Sequence, residues 1–207
     1  MIDGLSAVFW GVVTFSLLVV IHEGGHFLAA RAFGVKVHEF MVGLPGPALR
    51  IKAKKTTYGI TAIPLGGYVR IAGMEPGPED PNLGPVLAEA TRQGVSNAFS
   101  IAEKTGLSES DADAALITLQ DWGALEQLPH DRESYRSLHE PSAADDPLAL
   151  LDRARSITYR ALSTTKRIVL LSAGVVLNLL TAVLVFTVVL SMFGYLKDTG
   201  TVGHVNP

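Results

Sequence analysis

Cysteine is absent from the 207 residues, which excludes disulfides, thiolate metal sites and cysteine nucleophiles and leaves the redox compartment open. Charge is absent from residues 5–21, LSAVFWGVVTFSLLVVI, and from a second run, 168–193, IVLLSAGVVLNLLTAVLVFTVVLSMF, whose one strongly polar side chain is Asn178. Lys and Arg are absent from the start, MIDGL, which carries Asp3 instead. A cleaved signal peptide needs a basic start and a small-residue cleavage site before a polar mature region, so the first run is not read as one. No internal repeat is apparent.

What is present divides the chain. Spanning a bilayer takes about 20 residues of helix, so the second run crosses by itself and the first crosses if it continues through HEGGHFLAARAF. Basic residues crowd both inner ends of the intervening loop: Arg31, Lys36, Arg50, Lys52, Lys54, Lys55 and Arg70 after the first span, Arg153, Arg155, Arg160, Lys166 and Arg167 before the second. That asymmetry puts the loop, 34–167, in the cytoplasm and the N-terminus outside. The formal net charge of −3 averages these basic flanks with an acidic middle and says little alone.

Between the spans, 34–74 breaks into short β-rich runs (VKVHEFMV, ALRIKAK, TTYGITAI, GGYVRIAG) punctuated by Gly and Pro, which predicts a small membrane-associated β-hairpin region. Residues 75–85 read as a linker. Residues 86–139 predict a soluble α+β insert: helices over VLAEATRQG, SNAFSIAEKTG and ESDADAALITLQDWG, then a β-hairpin from ALEQL and SYRSLH. In the third helix Ala112, Ala115, Leu116, Leu119 and Trp122 share one face, and Ser108 with Asp111 forms an S-x-x-D cap. This order resembles a winged-helix domain. A second linker and basic juxtamembrane segment, 140–167, leads to the second span. The expected fold class is therefore an α-helical polytopic membrane protein, with two transmembrane helices in this chain, a β-hairpin region and a winged-helix-like insert.

His22-Glu23-Gly24-Gly25-His26 is an HExxH motif. On a helix, residues four apart lie one turn above each other, so both imidazoles can reach one Zn²⁺ while Glu23 stands beside them. Zinc with an open position lowers the pKa of its water to about 7, and the neighbouring glutamate acts as base and then proton donor in peptide hydrolysis. Five such residues also occur by chance on solvated helix surfaces. Here they adjoin an apolar span, where strongly charged types cost about 2.5–3.5 kcal/mol each on insertion scales and a metal would compensate.

LLVVIHEGGHFLAARAFGVKVHEFMVGLPGP followed by IPLGGYVRIAGM resembles the amino-terminal signature of site-2 proteases, the intramembrane zinc metalloproteases, especially the bacterial regulator-of-sigma-E type. The resemblance covers residues 1–74 and more loosely 160–207. It implies that His22 and His26 bind zinc, that Glu23 is the catalytic base, and that the β region presents an unwound substrate strand. Gly66 and Gly67 then permit close backbone approach of substrate, or simply make a turn; Tyr68 packs or anchors at the interface. SAGVVLNLL resembles the family's small-residue and asparagine pattern, although Val175 follows Gly174 where the family often has proline. Asn178 contacts substrate or the catalytic helix on this reading, or is interhelical hydrogen-bond glue worth on the order of 1 kcal/mol.

Two departures stand out. The family's third ligand is an aspartate of an Asp-Gly motif on a later helix, and Asp3 and Asp198 do not fit that place. TVGHVNP, in 194–207, looks like the opening strand of a truncated PDZ-like domain. The chain is thus expected to be an N-terminal fragment, weak in zinc binding and inactive alone. His38, His130, His139 and His204 lack metal-ligand spacing and are expected to be surface or packing residues.

The insert lies outside the signature. Winged helices often bind DNA through the third helix, but here that helix carries Glu109, Asp111, Asp113 and Asp121, and 75–150 holds fifteen acids against four bases. Nucleic acid is disfavoured and a cytoplasmic protein partner expected. The first functional expectation is a bacterial inner-membrane zinc endopeptidase that cleaves single-span proteins within the bilayer, releasing an anti-sigma factor or clearing signal-peptide remnants. The alternative is a membrane-anchored interaction module with a degenerate protease helix.

Overall fold

The computed structural model describes residues 2–53, 56–75 and 77–194. The two apolar runs form two long helices, α1 (Ile2–Ala32) and α6 (Thr164–Phe193). At 1.5 Å per residue each is about 45 Å long, enough for a hydrocarbon core of about 30 Å and part of the headgroup layer. Both meet the length and composition of a membrane span, and almost none of either is buried in the protein, as it would be in the core helix of a soluble fold. Phe9, Trp10 and Phe15 on α1, and Leu184, Phe186 and Met192 on α6, face outward. The helices run antiparallel: His22 meets Gly174, and His26 meets Leu170.

Four strands follow α1: β1 (Val37–Val42), β2 (Ala48–Ala53), β3 (Thr56–Thr61) and β4 (Gly67–Ile71). All four β-rich runs are strands, but a simple hairpin array is not what they build. β2 and β3 form a hairpin, β1 lies parallel to β3, and β4 pairs antiparallel with β1 on its other side, giving the order β2-β3-β1-β4. Period-two patterning selects strands without selecting partners, and here the central place goes to β1, whose Val37 and Met41 are fully buried. Phe27 of α1 stacks on Phe40 of β1 and Tyr58 of β3, with ring centroids 5.2 and 5.9 Å apart.

The insert contains α2 (Leu83–Gln93), β5 (Val95–Asn97), α3 (Ala98–Thr105), α4 (Glu109–Trp122), β6 (Leu125–Gln127) and β7 (Ser134–Ser137). Its core gathers the expected face of α4, Ala112 to Trp122, with Leu83, Val86 and Leu87 of α2 and Ile101 of α3. Ser108 caps α4 as expected, its Oγ accepting from the Asp111 N–H at 3.1 Å. The second helix starts later than expected. Asn97 and Ser100 form a capping box at the first turn, so residues 95–97 are left extended and pair with β7, which also pairs with β6.

Residues 140–152, expected as linker, are also folded. A 3-10 turn (Pro141–Asp145) precedes α5 (Pro147–Ser156), where Asp146 caps the helix through the Ala149 N–H and Leu150 and Ala154 are buried in the insert core. A Pro at the first helical position is favourable, so a Pro- and Asp-rich stretch is a helix start as readily as a linker. The strand expected from TVGHVNP lies at 195 and beyond, outside the described residues.

His38 joins the insert to the sheet. Its Nε2 donates to the Asp121 carbonyl oxygen at 2.6 Å and lies 3.3 Å from Oδ1, while Asp121 Oδ2 accepts from the Gly73 N–H at 2.7 Å. Burial opposes ionisation of Asp121, but the His38 and Gly73 hydrogen bonds, with the charges of His38 and Arg70, outweigh it and hold the carboxyl below the usual range. The insert is therefore fastened beside the end of β4.

Candidate metal centre

HEGGH falls late on α1, at the level where the sheet begins to cover the helix. His22 and His26 lie one turn apart and their rings meet edge to face, centroids 4.9 Å apart. Their Nε2 atoms converge to 3.2 Å. Two nitrogens on a tetrahedral zinc, each at about 2.0–2.1 Å from it, stand about 3.3 Å apart, so this spacing suits a shared metal ligation. His26 Nδ1 is 2.8 Å from the Leu170 carbonyl oxygen of α6. Donating there holds the proton on Nδ1 and leaves the Nε2 lone pair aimed at His22, the arrangement that orients a ligating imidazole.

The two helices can approach this closely because each places a glycine at the contact, Gly25 on α1 and Gly174 on α6. A Cβ on Gly174 would stand 2.7 Å from three atoms of the His22 ring. One on Gly25 would stand 2.7 Å from the Ala173 carbonyl carbon and 2.8 Å from the Gly174 Cα. Gly24 has no such constraint, its nearest neighbour being Leu177 Cδ2 at 4.0 Å. The small-residue segment of α6 thus forms a wall against which the first imidazole lies flat, and Gly25 and Gly174 join the site although the motif itself names only three residues.

Glu23 points toward the sheet. Its Oε2 accepts the Val69 N–H of β4 at 3.2 Å. β4 is an edge strand, and Val69 pairs with Phe40 of β1 on the inner side. The amide on the outer side is therefore available to Glu23, a link between the helix and the sheet that no local sequence pattern could predict.

Gly66 and Gly67 lie about one turn earlier on α1, against Val19 and Val20. Gly66 has φ +75°, and a Cβ on Gly67 would stand 2.8 Å from the Met41 carbonyl oxygen, so the turn into β4 and its contact with β1 require both residues to be glycine. Tyr68 Oη donates to Glu39 at 3.2 Å. Burial and the Glu39 carboxylate raise its pKa. Asn178 lies one turn beyond Gly174 on the same face of α6, and its Oδ1 is buried without a hydrogen-bond partner among the described residues. His130 is exposed, and burial and Arg153 lower the pKa of His139. His204 falls outside the described residues.

Among the described residues no three His, Cys, Asp or Glu side chains gather as a metal cage. The donor set is two imidazoles, with the neighbouring Glu23 turned to the Val69 amide. It fits two protein positions of a zinc site and leaves the others to be filled.

Paired imidazoles and a glutamate adjacent in sequence thus stand on a helix long and apolar enough to span a membrane, packed against a second such helix. The sequence matches the model of peptidase family M50 over residues 10–204, and the chain belongs to that family, the site-2 proteases. It is 48% identical over 71 residues to a protein of Fusobacterium nucleatum named as a candidate zinc metalloprotease, a match covering 34% of this chain and 21% of that one. A Clostridium acetobutylicum protein of the same designation is 46% identical over 70 residues, 34% of this chain and 21% of the relative. The Enterococcus faecalis protein named as the candidate protease eep is 27% identical over 215 aligned residues, which cover 95% of this chain and 49% of the relative. The chain thus spans half or less of the length of these relatives.

Proposed function

We propose that this chain carries the metal-binding helix of an intramembrane zinc endopeptidase, with His22 and His26 as two zinc ligands and Glu23 as catalytic base. The observation that carries the reading is the convergence of the two Nε2 atoms, 3.2 Å apart. A bound Zn²⁺ would supply Lewis acidity and a water acidified to about pKa 7. Leu170 holds the His26 tautomer through its carbonyl, Gly174 sets the plane of His22, and Val69 holds the Glu23 carboxylate by its amide. Glu23 would take a proton from the water and return it to the leaving amine.

Substrates on this reading are single-span membrane proteins, an anti-sigma factor or a signal-peptide remnant. A helix conceals its backbone bonds, so cleavage requires local unwinding, and the freed N–H and C=O groups need partners in a medium without water. The outer edge of β4, preceded by Gly66 and Gly67, would supply them by strand addition at positions other than Val69, whose amide Glu23 takes. Exposed Leu49, Ile51, Ile60 and Ile63 around β2 and β3 support a sheet lying against lipid. Asn178, with its unpartnered oxygen, is a second candidate for contact with the unwound segment.

Lys and Arg flanking the loop support a multi-pass bacterial inner-membrane protein with residues 34–167 cytoplasmic and the N-terminus outside. We read the chain as the N-terminal portion of a longer enzyme, whose remaining part brings the third ligand. The insert, 86–139, is read as a winged helix: the element order and the strand order β5-β7-β6 support it. Its acidic third helix favours a protein partner over nucleic acid. The self-contained insert core also supports the second reading, an interaction module anchored by a degenerate protease helix.

The test is zinc content and cleavage of a single-span substrate by the full-length protein, with Glu23→Gln alongside. About one zinc per chain, and cleavage lost in Glu23→Gln with zinc retained, supports the protease. Absence of both zinc and cleavage in the intact protein sinks it and leaves the interaction module.

A further inference from the structure

A cavity of about 540 Å³ opens at the inner end of α1, away from the metal centre. Three cations line it, Arg31, Lys36 and Lys52, and among the described residues no carboxylate does. Asp121, two residues before Gly123, is already engaged by His38 and the Gly73 N–H. The remaining walls carry exposed apolar surface from Leu138 of the insert and Ile157 ahead of α6, with Val35 and Val37 buried beneath.

The basic groups are held on ordered backbone. Arg31 lies over the Phe27 ring, 6.0 Å from its centroid. Lys36 donates its N–H to the Ile157 carbonyl at 2.8 Å and accepts from the Ala72 N–H at 3.0 Å. Its side chain runs across Gly123, where a Cβ would stand 3.1 Å from Cε. Gly123 sits at φ +80° as the C-cap of α4, so a bare left-handed residue of the insert gives the lysine its path. The cavity is thus shared by α1, the sheet and the insert.

Depth fixes the ligand class. Arg31 is in the last turn of α1, nine residues or about 14 Å beyond His22, which places it in the headgroup layer when the apolar run fills the hydrocarbon. Lys166, at the start of α6, lies over the Phe33 ring at 5.8 Å and marks the same level. Basic pockets at this level select anionic headgroups, and apolar walls beside the cations match the glycerol and upper acyl carbons that accompany a lipid phosphate.

We propose that this cavity binds the phosphate headgroup of an anionic phospholipid and that the lipid bridges α1 to the insert. Soluble phosphate would offer the same charge but nothing for the exposed Leu138 and Ile157 side chains to cover.

Native mass spectrometry of the full-length protein, loaded with dioleoyl phosphatidylglycerol or dioleoyl phosphatidylcholine, tests this. Phosphatidylglycerol should be retained preferentially, and each cation replaced by Gln should weaken retention about fivefold, on the order of a hundredfold for Arg31→Gln, Lys36→Gln and Lys52→Gln together. Lys36→Arg keeps the charge and should keep the lipid, and Arg132→Gln with Arg136→Gln, two cations outside the cavity, should leave it bound. Equal retention of both lipids, equal retention by the triple variant, or equal loss in the Arg132 and Arg136 control overturns the site. Displacement of phosphatidylglycerol by millimolar inorganic phosphate as readily as by added lipid overturns the lipid assignment.

Discussion

Gly174 of α6 lies so close to His22 of α1 that the smallest side chain at position 174 would stand 2.7 Å from the Cδ2, Cε1 and Nε2 of the imidazole. A Cβ there must turn the ring or push the helices apart. Gly174→Ala in the full-length protein should lower zinc affinity by about 10–100-fold, the usual effect of losing an orienting contact around a ligating histidine. Zinc titration with a competing chelator checks it, and wild-type affinity in Gly174→Ala would refute a role for the helix contact in shaping the site.

The Val69 amide ties Glu23 to the edge of β4 and takes no part in the inner pairing with Phe40. Proline is tolerated where an edge strand turns its N–H outward. Val69→Pro should therefore remove the tether, keep zinc, and reduce kcat by about tenfold, a partial loss of what general base catalysis contributes. Unchanged kcat with zinc retained would mean that Glu23 is positioned without the sheet.

Asn178 Oδ1 is buried with no partner among the described residues. Replacement of such a group by an apolar one of similar shape is neutral or stabilising. Asn178→Leu should leave the melting temperature in detergent unchanged or raise it by a few degrees while lowering cleavage. Lowered melting with intact cleavage would instead identify the residue as interhelical glue.

Asp121 fastens the insert to the sheet through His38 and Gly73. Its folded pKa is depressed, so its contribution is complete above the ordinary value of 3.8 and is lost as pH falls through the lower folded value. Through this carboxylate, docking should be constant from pH 5 to 8 and fail only in strong acid. Asp121→Asn should weaken docking by about 1.5–3 kcal/mol, the worth of a hydrogen bond to a charged group. Faster hydrogen exchange at Gly73 and the end of β4, with the α4 core still protected, is the expected readout.

Much of this protein was legible in its sequence because the signals are local. Charge-free runs of the right length become α1 and α6 since apolar length alone decides a span. His22 and His26 share a face because 3.6 residues make a turn, and Ser108 caps α4 because its side chain needs only a neighbouring N–H. The buried face of α4, from Ala112 to Trp122, followed from helical spacing in the same way.

Pairings across long stretches of chain were decided only by the tertiary structure. The parallel placement of β1 beside β3, the tether from Val69 to Glu23, and the contact of Gly174 with His22 join residues 18, 46 and 152 positions apart. His38 likewise carried no sequence signal of its role, because its partner is 83 residues away. Apolar patterning specifies that a surface is buried, not by what; which strand neighbours which, and which glycine admits which ring, depends on the simultaneous packing of α1, α6 and the sheet.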